Sequence, residues 1–468
     1  MSHTFDTNTK PICAISTAPG MGAIAVIRLS GAGSIALTDK IFKAPSGKKL
    51  TQQPANTLHF GRIYHNDAVL DEVVVALFHA PHSFTGEETV EISCHGSVYI
   101  QQKLMEALIA NGAEMAQAGE FTRRAFRNGK FDLSQAEAVA DLIFSTSQAA
   151  HRVAMNQMRG GFAKKLRELR DKLLQFVSLI ELELDFSEED VEFANREQLY
   201  QLTIELEQEI DKLAGSFQLG NAIKNGIPVA IIGETNAGKS TLLNLLLNEE
   251  KAIVSDIHGT TRDVIEDTVN IEGITFRFID TAGIRHTSDT IETMGIERTY
   301  QKIEQAGIIL WVIDSGTPAD KIKELSINII PKLKDKEVVL LFNKSDIITA
   351  EEQEQKKKLL SHLDATTLFI SAKKGDNIDL LQETLLKAAH LPQVGENDVV
   401  VTNLRHYESL TNALESIRRV KDGLDTELTS DFISQDIREC MYYLGEITGQ
   451  ISTDEVLGNI FSQFCIGK

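Results

Sequence analysis

A chain of 468 residues is too long for a single hydrophobic core and predicts about three folding units. With 42% hydrophobic and 24% charged residues, it is neither disordered throughout nor fibrous. The formal net charge of −20 excludes a protein that coats nucleic acid or an anionic membrane through its overall field, so any such contact must be a local patch.

The first ten residues are polar and no apolar run approaches the ~20 residues of a membrane span, so a cytoplasmic chain without a membrane partner is expected. Cys13, Cys94, Cys440 and Cys465 are scattered without a C-x-x-C pair, which argues against zinc and against a disulfide framework. The first three read as small apolar residues. Cys465, close to the end of the chain, stays a candidate reactive thiol.

Residues 1–127 mix extended runs, such as Ile24 to Leu29 and Val73 to Phe78, with a helical stretch around Tyr99 to Asn111, and predict an α+β domain. Residues 128–225 have few breakers, and Leu166, Leu169, Leu173, Phe176, Ile180 and Leu184 recur at helical spacing. Residues 226–388 alternate short apolar runs with helical patterns, which predicts βαβ units on a mostly parallel sheet. Residues 389–468 are helical again, so the two helical stretches predict one discontinuous helical domain interrupted by an α/β insertion.

The insertion carries the chemistry. The buried run Ile227 to Ile232 leads into Gly233-Glu234-Thr235-Asn236-Ala237-Gly238-Lys239-Ser240, and Thr241 continues into a helix. This is a complete P-loop in a strand–loop–helix setting: glycines let backbone N–H groups curl around phosphates, Lys239 reaches the terminal phosphates, and Ser240 ligates Mg²⁺. The strand Ile274 to Ile279 ends in Asp280-Thr281-Ala282-Gly283, which places a carboxylate near the Mg²⁺ shell and a backbone N–H near the γ-phosphate. Asn343-Lys344-Ser345-Asp346 and Ser371-Ala372-Lys373 each follow a further strand, and open α/β sheets bind ligands at the carboxyl ends of their strands. These two segments resemble the guanine-reading loops of GTPases, in which a carboxylate accepts from the two N–H donors that adenine lacks. The insertion is therefore expected to be a Ras-like P-loop GTPase domain that binds GTP.

Ile284 follows Gly283, where Ras-like enzymes carry the glutamine that orients the attacking water, so hydrolysis needs another polar group. Glu292 is the first candidate and Asp289 its rival. In Gly259-Thr260-Thr261-Arg262-Asp263, the Thr261 hydroxyl is the better placed to complete the Mg²⁺ shell. No dedicated arginine finger stands out, although Arg262 and Arg285 are present, and a monovalent cation could provide the missing charge.

The whole chain resembles the MnmE (TrmE) family of tRNA-modification GTPases. The resemblance is carried by Ala18-Pro19-Gly20, Ala25 to Gly31, Ser83-Phe84-Thr85-Gly86-Glu87, Gly119 to Phe126, the GTPase motifs, and Phe464-Cys465-Ile466-Gly467-Lys468. Thr235 departs from the proline usual there. The resemblance implies modification of C5 of the wobble uridine in certain tRNAs, by a carboxymethylaminomethyl or aminomethyl group, in a heterotetramer with the FAD-dependent partner MnmG (GidA). It implies K⁺ bound by Asn236, Ser255, Ile257 and Thr260, G-domain dimerisation, and Glu292 as the general base. It further implies that the N-terminal domain forms the homodimer and holds 5-formyl-tetrahydrofolate or a related folate through Arg28, Glu91, Lys130 and Lys468, with Cys465 near the active centre.

A tRNA substrate must be reconciled with an acidic chain. Arg123-Arg124-Arg127-Lys130, Lys164-Lys165-Arg167-Arg170 and Arg418-Arg419-Lys421 are the local basic clusters, although such runs are more often solvated helix faces. The competing expectation is a K⁺-dependent regulatory GTPase of ribosome assembly. Such a protein would be expected to carry an RNA-binding module and a basic tail, whereas this chain ends in Cys-Ile-Gly-Lys. A GTP-gated folate-binding scaffold without chemistry of its own is a weaker third reading.

Overall fold

In the computed structural model, the described residues are 10–185, 196–251, 267–279, 303–333, 336–361, 363, 365–390, 399–426, 428–451, 454–462, 464 and 466–467. The chain divides into two compact units. One comprises Met1–Ile143, Gln157–Glu207 and Asn412–Lys468, and the other Phe144–Asn156 and Gln208–Thr411.

The first unit is built on seven strands: β1 (Ile12–Ile15), β2 (Ile24–Ser30), β3 (Phe42–Lys43), β4 (Thr57–His65), β5 (Ala68–Phe78), β6 (Thr89–His95) and β7 (Glu114–Met115). They lie in the order β3-β4-β5-β6-β2-β1-β7. All neighbours are antiparallel except β1 and β7. Alternation along the strands decides which face is covered. Val73, Val75 and Leu77 of β5 join Ile27, Leu29, Val90 and Ile92 in a core, with helices Ser34–Ile41 and Val98–Ala110 contributing Ile35, Leu104 and Leu108. The opposite face leaves Leu58, Phe60 and Val74 exposed, with Phe60 directly across from Val74.

The helical part of this unit follows the predicted spacing. Helix Gly161–Asp185 buries Leu166, Leu169, Leu173 and Ile180, and packs on helix Ser430–Thr448, which buries Ile433, Ile437, Cys440 and Leu444. Arg170 Nε donates to the Met441 carbonyl at 3.1 Å across this contact. Gly449, at φ 77°, ends the second helix where a Cβ would lie 2.8 Å from Leu133 and 2.9 Å from Phe126, so only glycine lets the chain turn against those side chains.

The second unit carries six strands: β8 (Ile227–Ile232), β9 (Asp267–Ile271), β10 (Ile274–Phe278), β11 (Ile308–Asp314), β12 (Glu337–Asn343) and β13 (Thr366–Phe369). Their order is β13-β12-β11-β8-β10-β9, parallel throughout except for the β9–β10 hairpin. Both faces are covered, which explains the continuous apolar runs. Val229, Ile231, Leu310 and Leu341 pack with Leu242, Leu246 and Leu381 on one side, and Ile232, Trp311, Ile313 and Phe342 pack with Ile322 on the other. Residues outside the predicted 226–388 insertion also belong to this unit: Val153, Ile223 and Val400 form a small shared core, and Phe217 stacks on Tyr407 with ring centroids 4.7 Å apart. No helix among the described residues is long and apolar enough to cross a membrane.

Candidate functional site

Each predicted nucleotide segment within the described residues stands at the carboxyl end of a parallel strand. β8 runs into the loop 233–238 and then into helix Lys239–Lys251. Gly233, at φ 142°, brings the loop so close to β11 that a Cβ would sit 2.1 Å from the Val312 carbonyl oxygen. Asn236 takes the left-handed conformation at φ 63°, which asparagine tolerates better than most residues. Lys239 Nζ donates to the Gly233 carbonyl at 2.8 Å and to the Glu234 carbonyl at 2.6 Å, so the ammonium is folded back on its own loop. Ala237 is buried, Ser240 half-buried and Thr241 exposed. Glu234 also pairs with Lys321 at 2.8 Å.

Asn343 joins the 233–238 loop to the segment at Ser371 and Ala372, which is predicted to read the base. Buried to 2% exposure, it donates from Nδ2 to the Ala237 carbonyl (2.8 Å), and its Oδ1 accepts the Ala372 N–H (2.9 Å). Gly238 makes this possible, since a Cβ there would lie 2.0 Å from Asn343 Nδ2. The neighbouring Lys344 adopts φ 61° and places Nζ 2.6 Å from Asp314 Oδ2. Burial pushes the Asp314 carboxyl up, but the Lys344 amine, the Gly316 N–H and nearby lysine charge together hold it below the usual carboxylate range.

Asp346 accepts from Ser371 Oγ at 3.0 Å and pairs with Lys374 at 3.2 Å. The Ser371 bond first, then Lys374, keeps its carboxyl below the ordinary range, so it remains an acceptor throughout neutral pH. Asp346, Ser371 and Ala372 thus converge with Asn343 and the phosphate loop. Lys373 is exposed in the following turn, and Lys374 is the lysine that reaches Asp346. Sequence reading missed Asp314 and Lys374. The signal for Asp314 was its place at the end of a buried strand whose register sets it opposite Asn343.

Ser255, Ile257, Thr260, Thr261, Asp280, Thr281, Ala282, Gly283, Glu292, Cys465 and Lys468 lie outside the described residues. Among the described residues, no cluster of His, Cys, Asp and Glu is arranged to hold a metal ion. Ser240 nevertheless fits the Mg²⁺ role by chemistry, as a hydroxyl at the start of a helix that follows a phosphate loop.

The family motifs of the first unit meet in three dimensions. β2 and β6 pair Arg28 with Glu91, and the two side chains form an ion pair at 2.8 Å. The Arg28 guanidinium lies 5.4 Å from the Phe84 ring centroid and 5.7 Å from that of Phe121. Lys130 Nζ donates to the Pro81 carbonyl at 3.1 Å, and its side chain runs past Gly86. The structure therefore gathers Arg28, Glu91 and Lys130 around segment 81–86. A carboxylate acceptor beside two cationic groups and aromatic rings suits a flat heterocycle with N–H donors and an acidic tail.

Beneath them is a polar network that sequence reading did not anticipate. Arg124, only 9% exposed, donates to Glu87 (3.2 Å), Glu120 (3.0 Å) and the carbonyls of Ser30 and Lys10. Ser30 Oγ in turn bonds Thr85 (2.7 Å) and Glu87 (2.8 Å). The tail also reaches this unit: Ser16 Oγ donates to the Gly467 carbonyl (3.2 Å), and Ile466 forms a strand-like bridge with Ala118. Cys13, Cys94 and Cys440 are buried, and burial pushes their thiols up to about 11, 11 and 12 respectively, so they are inert packing residues as expected.

Residues 11–130 match the family described as GTP-binding protein TrmE N-terminus, and residues 133–465 match the MnmE helical domain. A tRNA modification GTPase MnmE of Bacteroides thetaiotaomicron is 61% identical over 98% of this chain and 100% of its own length. A protein of the same name from Flavobacterium johnsoniae is 52% identical over 98% of this chain and 100% of its own. With such identity across essentially the whole length, and with family models matching residues 11–130 and 133–465, the chain belongs to the MnmE family of tRNA modification GTPases.

Proposed function

We propose that this chain is a K⁺-activated GTPase that works with the FAD-dependent partner MnmG (GidA) to add a carboxymethylaminomethyl or aminomethyl group to C5 of the wobble uridine of certain tRNAs. The observation that supports the reading is that, in one member of the MnmE family, Asp346 is held as an acceptor by Ser371 and Lys374, and Arg28, Glu91 and Lys130 are gathered around segment 81–86. GTP is held by Gly233, Asn236, Ala237, Gly238, Lys239, Ser240 and Thr241 at the phosphates, by Asp280 to Gly283 at the γ-phosphate, and by Asn343, Lys344, Asp346 and Ser371 to Lys373 at the base. Mg²⁺ is assigned to Ser240 and Thr261, and K⁺ to Asn236, Ser255, Ile257 and Thr260. When bound there, K⁺ would supply positive charge near the transferring phosphoryl group, the role an arginine finger plays elsewhere.

Arg28, Glu91, Lys130 and Lys468 are assigned to a folate that brings the one-carbon unit. The half-buried ion pair and its aromatic floor support this, and the tail's attachment at Ser16 supports the inclusion of Lys468. The apolar outer face at Leu58, Phe60 and Val74 supports a homodimer formed through the N-terminal domain. The proposed division is 1–127 for that domain, 128–225 and 389–468 for the helical domain, and 226–388 for the GTPase domain. Cys465 is assigned to the centre where the one-carbon unit is transferred, and the chain is assigned to the cytoplasm.

Glu292 is assigned as the general base, since Ile284 cannot orient water. Glu292→Ala is expected to remove most K⁺-stimulated turnover, by about 10²-fold or more, while GTP affinity stays nearly unchanged. Phosphate release measured with K⁺ and with Na⁺ reads this directly. Undiminished turnover in the variant would remove the assignment.

A further inference from the structure

Three basic clusters stand out in this acidic chain, and the structure separates them by what already occupies each charge. Arg418 Nε and Lys421 Nζ both donate to Glu207, each at 3.0 Å, and Arg419 donates to Asp436 at 2.8 Å and to Glu439. The Lys421 and Arg418 bonds hold the Glu207 carboxyl below its usual range, as a satisfied interhelical ion pair should. Phosphate binding here would have to displace those carboxylates. Arg124 is buried among Glu87 and Glu120, and Arg170 faces the Met441 carbonyl.

What remains lies on adjoining surfaces of the first unit. Arg127 and Arg159 are exposed, and neither has an ion-pair or hydrogen-bond partner among the described residues. Lys164 is 76% exposed and only 4.0 Å from Glu168, a pair too exposed and too long to hold it. The two segments touch: Gln135 Nε2 donates to the Met158 carbonyl at 3.0 Å, just before Arg159, and Arg167 lies 3.6 Å from Asp132, just after Lys130. Helix Gly161–Asp185 also begins here, adding the positive end of its dipole to the same surface.

We propose that Arg127, Arg159 and Lys164 form an RNA-docking surface that receives the phosphodiester backbone of the tRNA. This inference rests on the tRNA-modifying function proposed above and adds where the substrate lies. The surface continues into Lys130, so a backbone lying on it passes beside the Arg28–Glu91 site that the target base has to reach. Contacts of this kind position a nucleic acid without reading its sequence, and they make binding salt-dependent.

The test uses the full-length protein and an unmodified tRNA transcript with a wobble uridine, with affinity followed by fluorescence anisotropy across a salt series. The combined variant Arg127→Gln, Arg159→Gln and Lys164→Gln is expected to bind at least about tenfold more weakly and to lower the log–log salt slope by about two to three, with GTP turnover unchanged. A control variant, Lys323→Gln, Lys357→Gln and Lys358→Gln, makes the same charge change at exposed lysines of the nucleotide-binding unit and should bind like the parent. Equal affinity and slope in parent and first variant, or an equal loss in the control, would overturn the surface. A parent protein that binds no transcript, in cells whose wobble uridines still depend on it, would overturn this surface alone and leave the function standing.

Discussion

Replacing Asp346 by asparagine is expected to weaken GTP binding by about 10²–10³-fold and to make xanthosine triphosphate the preferred nucleotide. In the proposed base site the carboxylate accepts from two N–H donors on guanine. An amide there turns one acceptor into a donor and faces one of guanine's donors with its own, whereas xanthine presents a carbonyl at that position. Asp346 is held in place by Ser371 and Lys374, which stand in the turn that follows β13. Its lowered pKa fixes the sign of the pH dependence: the acceptor form persists below the usual carboxylate range, so this group should cause no loss of GTP affinity between pH 8 and about 5. Competition between GTP and xanthosine triphosphate for a labelled nucleotide measures the change. Retained guanine preference in the variant would contradict the assignment of the base site.

Arg124→Met is expected to destabilise the first unit by about 3–5 kcal/mol, because it leaves Glu87 and Glu120 without their buried cation. The side chain is only 10% exposed, so solvent screens the pair little. In calorimetry the transition of this unit should fall by roughly ten degrees. The transition of the nucleotide-binding unit, identified by its rise on adding GDP, should stay in place. Adding Glu87→Gln and Glu120→Gln should recover part of the loss, since the penalty arises from unpaired charge and not from lost volume. A shift below about two degrees in the single variant would mean that the network is solvated.

The predicted nucleotide segments within the described residues could be placed from the sequence because each is contiguous and follows its own strand, so the fold only has to bring strand ends together. What escaped depends on register and on turns. Asp314 meets Lys344 because β11 and β12 align Asp314 with Asn343, and Lys374 reaches Asp346 because the turn after Ala372 points it there. Arg124 was misread in kind. It sits in a run that reads as a basic surface, yet it is the centre of a buried network linking residues as far apart as Ser30, Glu87 and Glu120. Local composition could not reveal this, because the acids that neutralise it come from another strand's loop and from one turn earlier on its own helix. The same holds for Arg418 and Lys421, whose partner Glu207 is more than two hundred residues away, and for Arg419, which pairs with Asp436 and Glu439 of the next helix. Arg28 and Glu91 came from family resemblance alone, and their juxtaposition is a consequence of the β2–β6 register.

The measurement that tests the central claim most directly is mass spectrometry of tRNA nucleosides from cells with and without this chain. The account predicts that C5-substituted wobble uridines disappear in its absence and return when the parent chain is restored, whereas the Glu292→Ala chain does not restore them. Wobble uridines that keep their C5 substituents in the absence of the chain would contradict it and would point instead to a regulatory GTPase.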